Sequence, residues 1–369
     1  VDDECYGHGI EAAELVLPCA DLEPTLAFFT GRLGFRIASI FPAEAPRVAV
    51  IAGHGLRLRL DPGATGEPGS LRLLCRDPAA VAGGLSQLVA PNGTRVELVA
   101  SDPSLELPPV RPSFVLTRLA DGAWSSGRAG MLYRDLVPDR QGGRFVASQI
   151  RIPEGGPVPD YVHFHRVRFQ MIYCVRGWVR VVYQDQGPPF VLQPGDAVLQ
   201  PPRIRHRVLE CSPGLEVIEV SCPAEHETLA DLALELPTPE VRPERDFGGQ
   251  RFVRHEAARA TFEPWRLPGF EVRDLGITAA TASLATAHVV RRMKATGASQ
   301  QDPPSEAHHG ELLFSFVLAG SARLHCAGAG AARLAAGDAF VIPPGHEHAL
   351  RECTPDLELM QLTVDPLRA

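Results

Sequence analysis

Lysine is almost missing from this sequence. Lys294 is the only one, and the remaining positive charge is carried by arginine. That is a compositional bias and marks no function. Basic residues number 36 against 44 acidic, a formal net charge of −8 with no basic patch, which argues against a nucleic-acid binder. No apolar run approaches the roughly 18 residues needed to cross a bilayer, and no signal peptide opens the chain, so the expectation is a cytoplasmic protein. The eight cysteines (Cys5, Cys19, Cys75, Cys174, Cys211, Cys222, Cys326 and Cys353) form no Cys-x-x-Cys pair and read as small core residues in a reducing compartment. There is no Gly-x-Ser-x-Gly elbow, no Walker-type loop and no Rossmann glycine pattern. Gly83-Gly84 and Gly248-Gly249 lack the flanking residues those motifs require. What remains is a chain of 369 residues, 45% hydrophobic, enough for two to three domains with cores of their own.

The chain is organised around two stretches. In the first, His163 and His165 stand two residues apart, a spacing that points both side chains to one face of a strand. Gln170 then opens an apolar run that stops at Gly177. In the second, Pro194-Gly195-Asp196 reads as a tight turn, the run to Leu199 as a short strand, and Pro201-Pro202 as its end. His206 re-enters on a new strand. Three imidazoles on neighbouring strands of a small β-barrel can converge on one divalent metal ion, with His163, His165 and His206 as ligands.

These stretches resemble the two motifs of the cupin superfamily. Residues 163–177 match the first, His-x-His, four residues, a carboxylate, six residues and Gly, except that Gln170 stands where Glu is usual. Residues 195–206 match the second, with Arg203 in place of the inner Gly. The resemblance implies a double-stranded β-helix, or jelly-roll barrel, with the metal inside.

From residue 132 onward the sequence repeats at an offset of about 140 residues, far longer than a solenoid repeat. Tyr133-Arg134-Asp135-Leu136 recurs as Val272-Arg273-Asp274-Leu275, and Gly195-Asp196-Ala197 as Gly337-Asp338-Ala339. The second copy's site is altered. His348 aligns with His206, His308 (or His309, with one residue of slippage) with His165 and Glu306 with His163, while Glu311 could supply the carboxylate. His308 or His309 with Glu311 and His348 could hold a metal as two imidazoles and a carboxylate, with His346 nearby; the alternative is a barrel that lost its metal after duplication. Gln149 is placed one repeat before His288.

Residues 1–100 show a strand, an amphipathic helix from Asp21 to near Gly34, three further strands, then strand, helix (Pro78–Val89) and strand. The opening from Leu15 to Phe35 and the ending from Pro91 to Leu98 resemble the vicinal oxygen chelate superfamily, the glyoxalase and bleomycin-resistance type. That resemblance places Glu14 and Glu97 at its metal-ligand positions. Two carboxylates without a His make a poor transition-metal site, and the module reads as structural or dimerising. Residues 101–131 form a Pro-rich linker with one strand at Phe114–Leu119 that docks on a neighbour. Residues 223–270 separate the barrels (132–222 and 271–369) and hold a short amphipathic helix, Ala224–Leu236.

The expected protein is therefore mainly β, two jelly-roll barrels preceded by an α+β module. Three neutral imidazoles leave a divalent ion its full +2 charge, and Gln170 is a neutral oxygen donor suited to a bound water or substrate. Such a site favours chelating anionic oxygens of a small-molecule substrate. With Fe(II) and O2 the expectation is a dioxygenase acting on a small organic acid or phenol, with Gln170 at the catalytic centre. With Zn, Mn or Ni it is a metal-dependent isomerase or decarboxylase. A non-catalytic small-molecule binder is the remaining alternative, and a homodimer the default assembly.

Overall fold

The computed structural model describes residues 9–293 and 302–366; Cys5 and Lys294 fall outside them. The chain divides into two compact units, Val1–Ser104 and Leu105–Ala369.

In the first unit a four-stranded sheet runs in the order Leu15–Pro18, Leu56–Asp61, Val48–Gly53, Arg36–Phe41, and a three-stranded sheet joins Ser70–Cys75, Arg95–Ala100 and Gln87–Val89. Its core gathers Phe29, Phe35, Ile51, Leu58, Leu60 and Val96. The expected helix from Asp21 is an α-helix only over Leu22–Ala27 and widens into a π turn, Phe28–Arg32. The expected helix Pro78–Val89 is cut short at Ala82. Gly83 and Gly84 take positive φ (62° and 92°), which ends the helix and frees Gln87–Val89 to pair as a strand.

The second unit holds the two barrels, each with a seven-stranded sheet. The first runs Val253–His255, Ala197–Leu199, Phe169–Arg176, Leu215–Cys222, Val146–Ile152, Leu132–Asp135, Ser125–Ser126. The second runs Glu263–Pro264, Phe270–Asp274, Ala285–Arg292, Glu358–Val364, Leu312–Ala319, Ala339–Ile342, Val115–Thr117. Period-two alternation divides each strand's side chains between two cores. In Phe169–Arg176, the side chains of Phe169, Met171 and Tyr173 enter a core shared with Phe314, Phe316, Met360 and Leu362 of the other barrel. Ile172 and Cys174 point into the first barrel. The barrels are thus joined through the outer faces of their large sheets, and each keeps a separate interior.

Both connecting segments are built into this architecture. Val115–Thr117, from the expected linker, pairs antiparallel with Ala339–Ile342 and closes one edge of the second barrel's sheet. The expected helix Ala224–Leu236 does not form. Thr228–Ala230 is instead a strand laid against His163–His165, whose outer edge would otherwise lack main-chain partners.

Candidate metal centre

His163 and His165 lie on the strand His163–His165, and His206 opens His206–Cys211, with His163 and His206 as direct antiparallel partners. The turn before His206 is pinned back onto this strand, because the Arg203 amide donates to the carbonyl of His165 at 3.1 Å. Arg203 adopts φ 63°, and Gly345, its counterpart in the second barrel, φ 76°. The left-handed conformation is the physical reason for a glycine at this turn, and Arg203 occupies it at a cost of about 1–2 kcal/mol.

The ligand-capable atoms of His163, His165 and His206 lie within 4.8 Å of one another, and all three rings are buried. This is the one such cluster among the described residues. Each Nδ1 is engaged: His163 with the carbonyl of Tyr161 (2.8 Å), His206 with that of Ile204 (3.0 Å), and His165 with the Thr228 hydroxyl (3.3 Å). A carbonyl only accepts, so the Nδ1 of His163 and His206 carries the proton and Nε2 carries the lone pair. Arg128 Nη2 donates to that lone pair on His163 at 3.4 Å. Burial holds the rings neutral: His206 is pushed down to about 3, by desolvation first and His163 second. His165 is pushed down to about 2, by desolvation and then by His206, His226 and His163. Three neutral nitrogen donors converging without protonation are a donor set that fits a divalent first-row ion.

The triad opens into a cavity of about 100 Å³. Its wall is mainly apolar, with Met131, Ile150, Ile172, Val181, Val208 and Val217 among the lining residues. The polar groups are few. Gln170 is buried and donates from Nε2 to Glu219 Oε1 at 3.0 Å. Gln200 donates to the Tyr183 hydroxyl at 2.9 Å. Arg128 is paired with Asp160 at 3.0 Å. Burial pushes the Tyr133 phenol up, so it keeps its proton. Sequence reading missed Glu219, Arg128 and Tyr133. Arg128 sat in the segment read as linker, and the inward parity of Glu219 depends on a strand register that sequence alone does not supply.

The second barrel's candidates are not brought together. Glu311 is held by the first barrel's flanking arginines, bidentate to Arg144 (2.8 and 3.2 Å) and bonded to Arg168 at 2.8 Å. His308 spends Nε2 on the carbonyl of Ile342 (2.8 Å) and its ring centre lies 6.4 Å from that of His348. His309 and His346 are exposed. His348 faces Glu306 (3.8 Å) beside a small cavity of about 30 Å³ lined by Trp265, Leu267, Phe270, Leu324 and Phe340. Gln149 and His288 are not equivalent positions. Arg134 pairs with Gln149 and its repeat Arg273 with Val289, so the counterpart of His288 is Ser148. In the first unit Glu14 pairs with Arg57 and Glu97 with Arg72.

The chain matches the cupin domain family model twice, over residues 148–217 and 295–364. Each match falls within one of the two barrels described above, so the chain carries two cupin domains in tandem. No curated protein matches the sequence. Among solved structures, a mutant of Bacillus subtilis oxalate decarboxylase matches at 13% identity and TM-score 0.51, over 73% of this chain and 81% of that one. Oxalate decarboxylase from Lactobacillus farciminis, as a formate complex, matches at 12% identity and TM-score 0.51, over 73% and 89%. A further Bacillus subtilis oxalate decarboxylase, studied for its Mn(II) centers, matches at 14% identity and TM-score 0.50, over 73% and 81%. At such identities the likeness is one of fold.

Proposed function

We propose that this bicupin is a metal-dependent enzyme that decarboxylates a small carboxylic acid in its first barrel, with His163, His165 and His206 holding a divalent ion. The observation that carries the reading is the convergence of three neutral imidazoles, Nδ1 engaged, at one end of a largely apolar cavity. The fold shared with Mn(II)-containing oxalate decarboxylases supports it and favours manganese over the iron expected from the motifs. A bound divalent ion would supply a +2 centre with open positions that draws electron density from a chelated carboxylate.

The chain's own residues do the rest. Arg128, held through Nη1 by Asp160, turns its Nη2 toward His163, and that edge is assigned to the substrate carboxylate. The mainly apolar wall disfavours the localised charge of a carboxylate relative to the more dispersed charge of the breaking C–C bond. Decarboxylation is redox-neutral: the bond's electron pair stays on the substrate carbon, carbon dioxide departs, and the carbon takes one proton. We assign its supply to Tyr133, a cavity-wall phenol that keeps its proton and donates it to Met131 Sδ at 3.4 Å in the absence of substrate.

The test is metal content by mass spectrometry on protein purified without chelators, followed by assays on a panel of aliphatic and aromatic carboxylic acids. Manganese at about one per chain with carbon dioxide release supports the proposal. Iron with O2 uptake and oxygenated products would establish a dioxygenase instead. Ligand binding without turnover under either metal would leave a small-molecule-binding bicupin.

A further inference from the structure

The first cupin motif carries Gln170 where a carboxylate is usual, yet a carboxylate stands one hydrogen bond away. Glu219 lies on the neighbouring strand Leu215–Cys222, where Ser221 is the direct partner of Gln170 and Glu219 that of Ile172. Glu219 is therefore the diagonal neighbour of Gln170 on the same inward face. Its Oε1 accepts from Gln170 Nε2 at 3.0 Å and from the Ser221 hydroxyl at 3.4 Å. It lines the same cavity as the three imidazoles, and is the one acidic side chain among the described lining residues. The lining cation, Arg128, is already paired with Asp160. Among the described residues no arginine forms an ion pair with Glu219. Glu219 is half-buried, with hydrogen bonds but no ion-pair partner among the described residues, and a cation at the adjacent triad would give it a counter-charge.

We infer that Glu219 supplies, from the neighbouring strand, the negative charge that Gln170 withholds from the imidazole site. Gln170 is the link: its nitrogen is held on the carboxylate, so its carbonyl oxygen is the atom left for the metal side. The motif's charge has moved one strand across the sheet. This inference rests on the metal reading of the triad and adds a positioning residue to it.

Mn(II) alone is the probe, titrated by calorimetry into full-length protein stripped of metal, for the wild type and three variants. Glu219→Gln preserves shape and still accepts from Gln170, so only charge is removed. Its affinity for Mn(II) is expected to fall by about 10- to 100-fold, the range for groups that support metal ligands without touching the ion. Circular dichroism should be unchanged. The exchanged pair Gln170→Glu with Glu219→Gln puts the charge back at the motif position and is expected to restore affinity to within about threefold of wild type; this pair also reports if the single variant folds poorly. His163→Ala should abolish binding. Wild-type affinity in Glu219→Gln, or failure of the exchanged pair to rescue, overturns the inference while leaving the triad as the metal site. No Mn(II) binding by the wild type overturns the metal reading and this inference together.

Discussion

His163 and His206 are direct partners across an antiparallel pair, with ring centroids 4.3 Å apart. Their convergence is therefore a property of sheet register, and removing either ring leaves the other in place. His163→Ala or His206→Ala is expected to lower metal content below about a tenth of wild type, since each removes one of three donors. His348→Ala, in the barrel whose candidates do not converge, should leave metal content unchanged. Mass spectrometry on the three purified variants checks both outcomes.

The buried rings also set a pH dependence of stability in the metal-free protein. His206 is pushed down to about 3 and His165 to about 2, so folded protein leaves both neutral where the unfolded chain protonates them near the ordinary histidine value. The unfolded state binds more protons in that window. The stabilisation is complete above about pH 6.5 and is lost as pH falls toward 3, each ring contributing a slope of about 1.4 kcal/mol per pH unit. Urea unfolding of chelator-treated protein between about pH 7 and pH 5 measures the slope. His206→Ala should lower the slope by about 1.4 kcal/mol per pH unit and leave the contribution of His165.

Glu311 draws Arg144 and Arg168 together across the barrel interface, with all three side chains largely buried. Glu311→Gln leaves two guanidiniums without a counter-charge. It is expected to cost about 3–5 kcal/mol. Urea unfolding should show the loss, while metal content stays at wild-type level; a drop in metal would mean Glu311 acts at the site after all.

Val115–Thr117 closes the edge of the second barrel, and the Leu119 amide is tied to Asp338 at 2.9 Å. A chain beginning at Leu105 retains this strand and one beginning at Asp121 does not. The shorter chain is expected to melt several degrees lower and to aggregate from the exposed edge at Ala339–Ile342. Differential scanning calorimetry and light scattering on the two chains provide the comparison.

Much of this was legible in the sequence. The spacing of His163, His165 and His206 marked the cluster, and alternation placed Ile172 and Cys174 inward with Met171 and Tyr173 outward, as the two cores show. Repetition at a constant offset exposed the tandem. What escaped depends on pairings between distant segments. Glu219 is recognisable only once Leu215–Cys222 is registered against Phe169–Arg176. Glu311 looked like a metal ligand because the arginines that hold it come from the other barrel. Residues 224–236 have helical spacing, but hydrogen bonds to the histidine strand outweigh that weak local preference. Manganese was named among the alternatives and iron was preferred, since imidazole spacing does not discriminate between them.

The strand Val115–Thr117 precedes the first barrel in the chain and belongs to the sheet of the second, with Leu116 opposite Phe340. During synthesis it emerges early and has no sheet to join until nearly the whole polypeptide exists. The first barrel can finish while its predecessor waits. The same crossing constrains inheritance. A gene cut between the barrels strands three residues on one side and an open edge on the other. Once the duplication had been laced this way, the pair could be copied or lost as a unit but no longer divided.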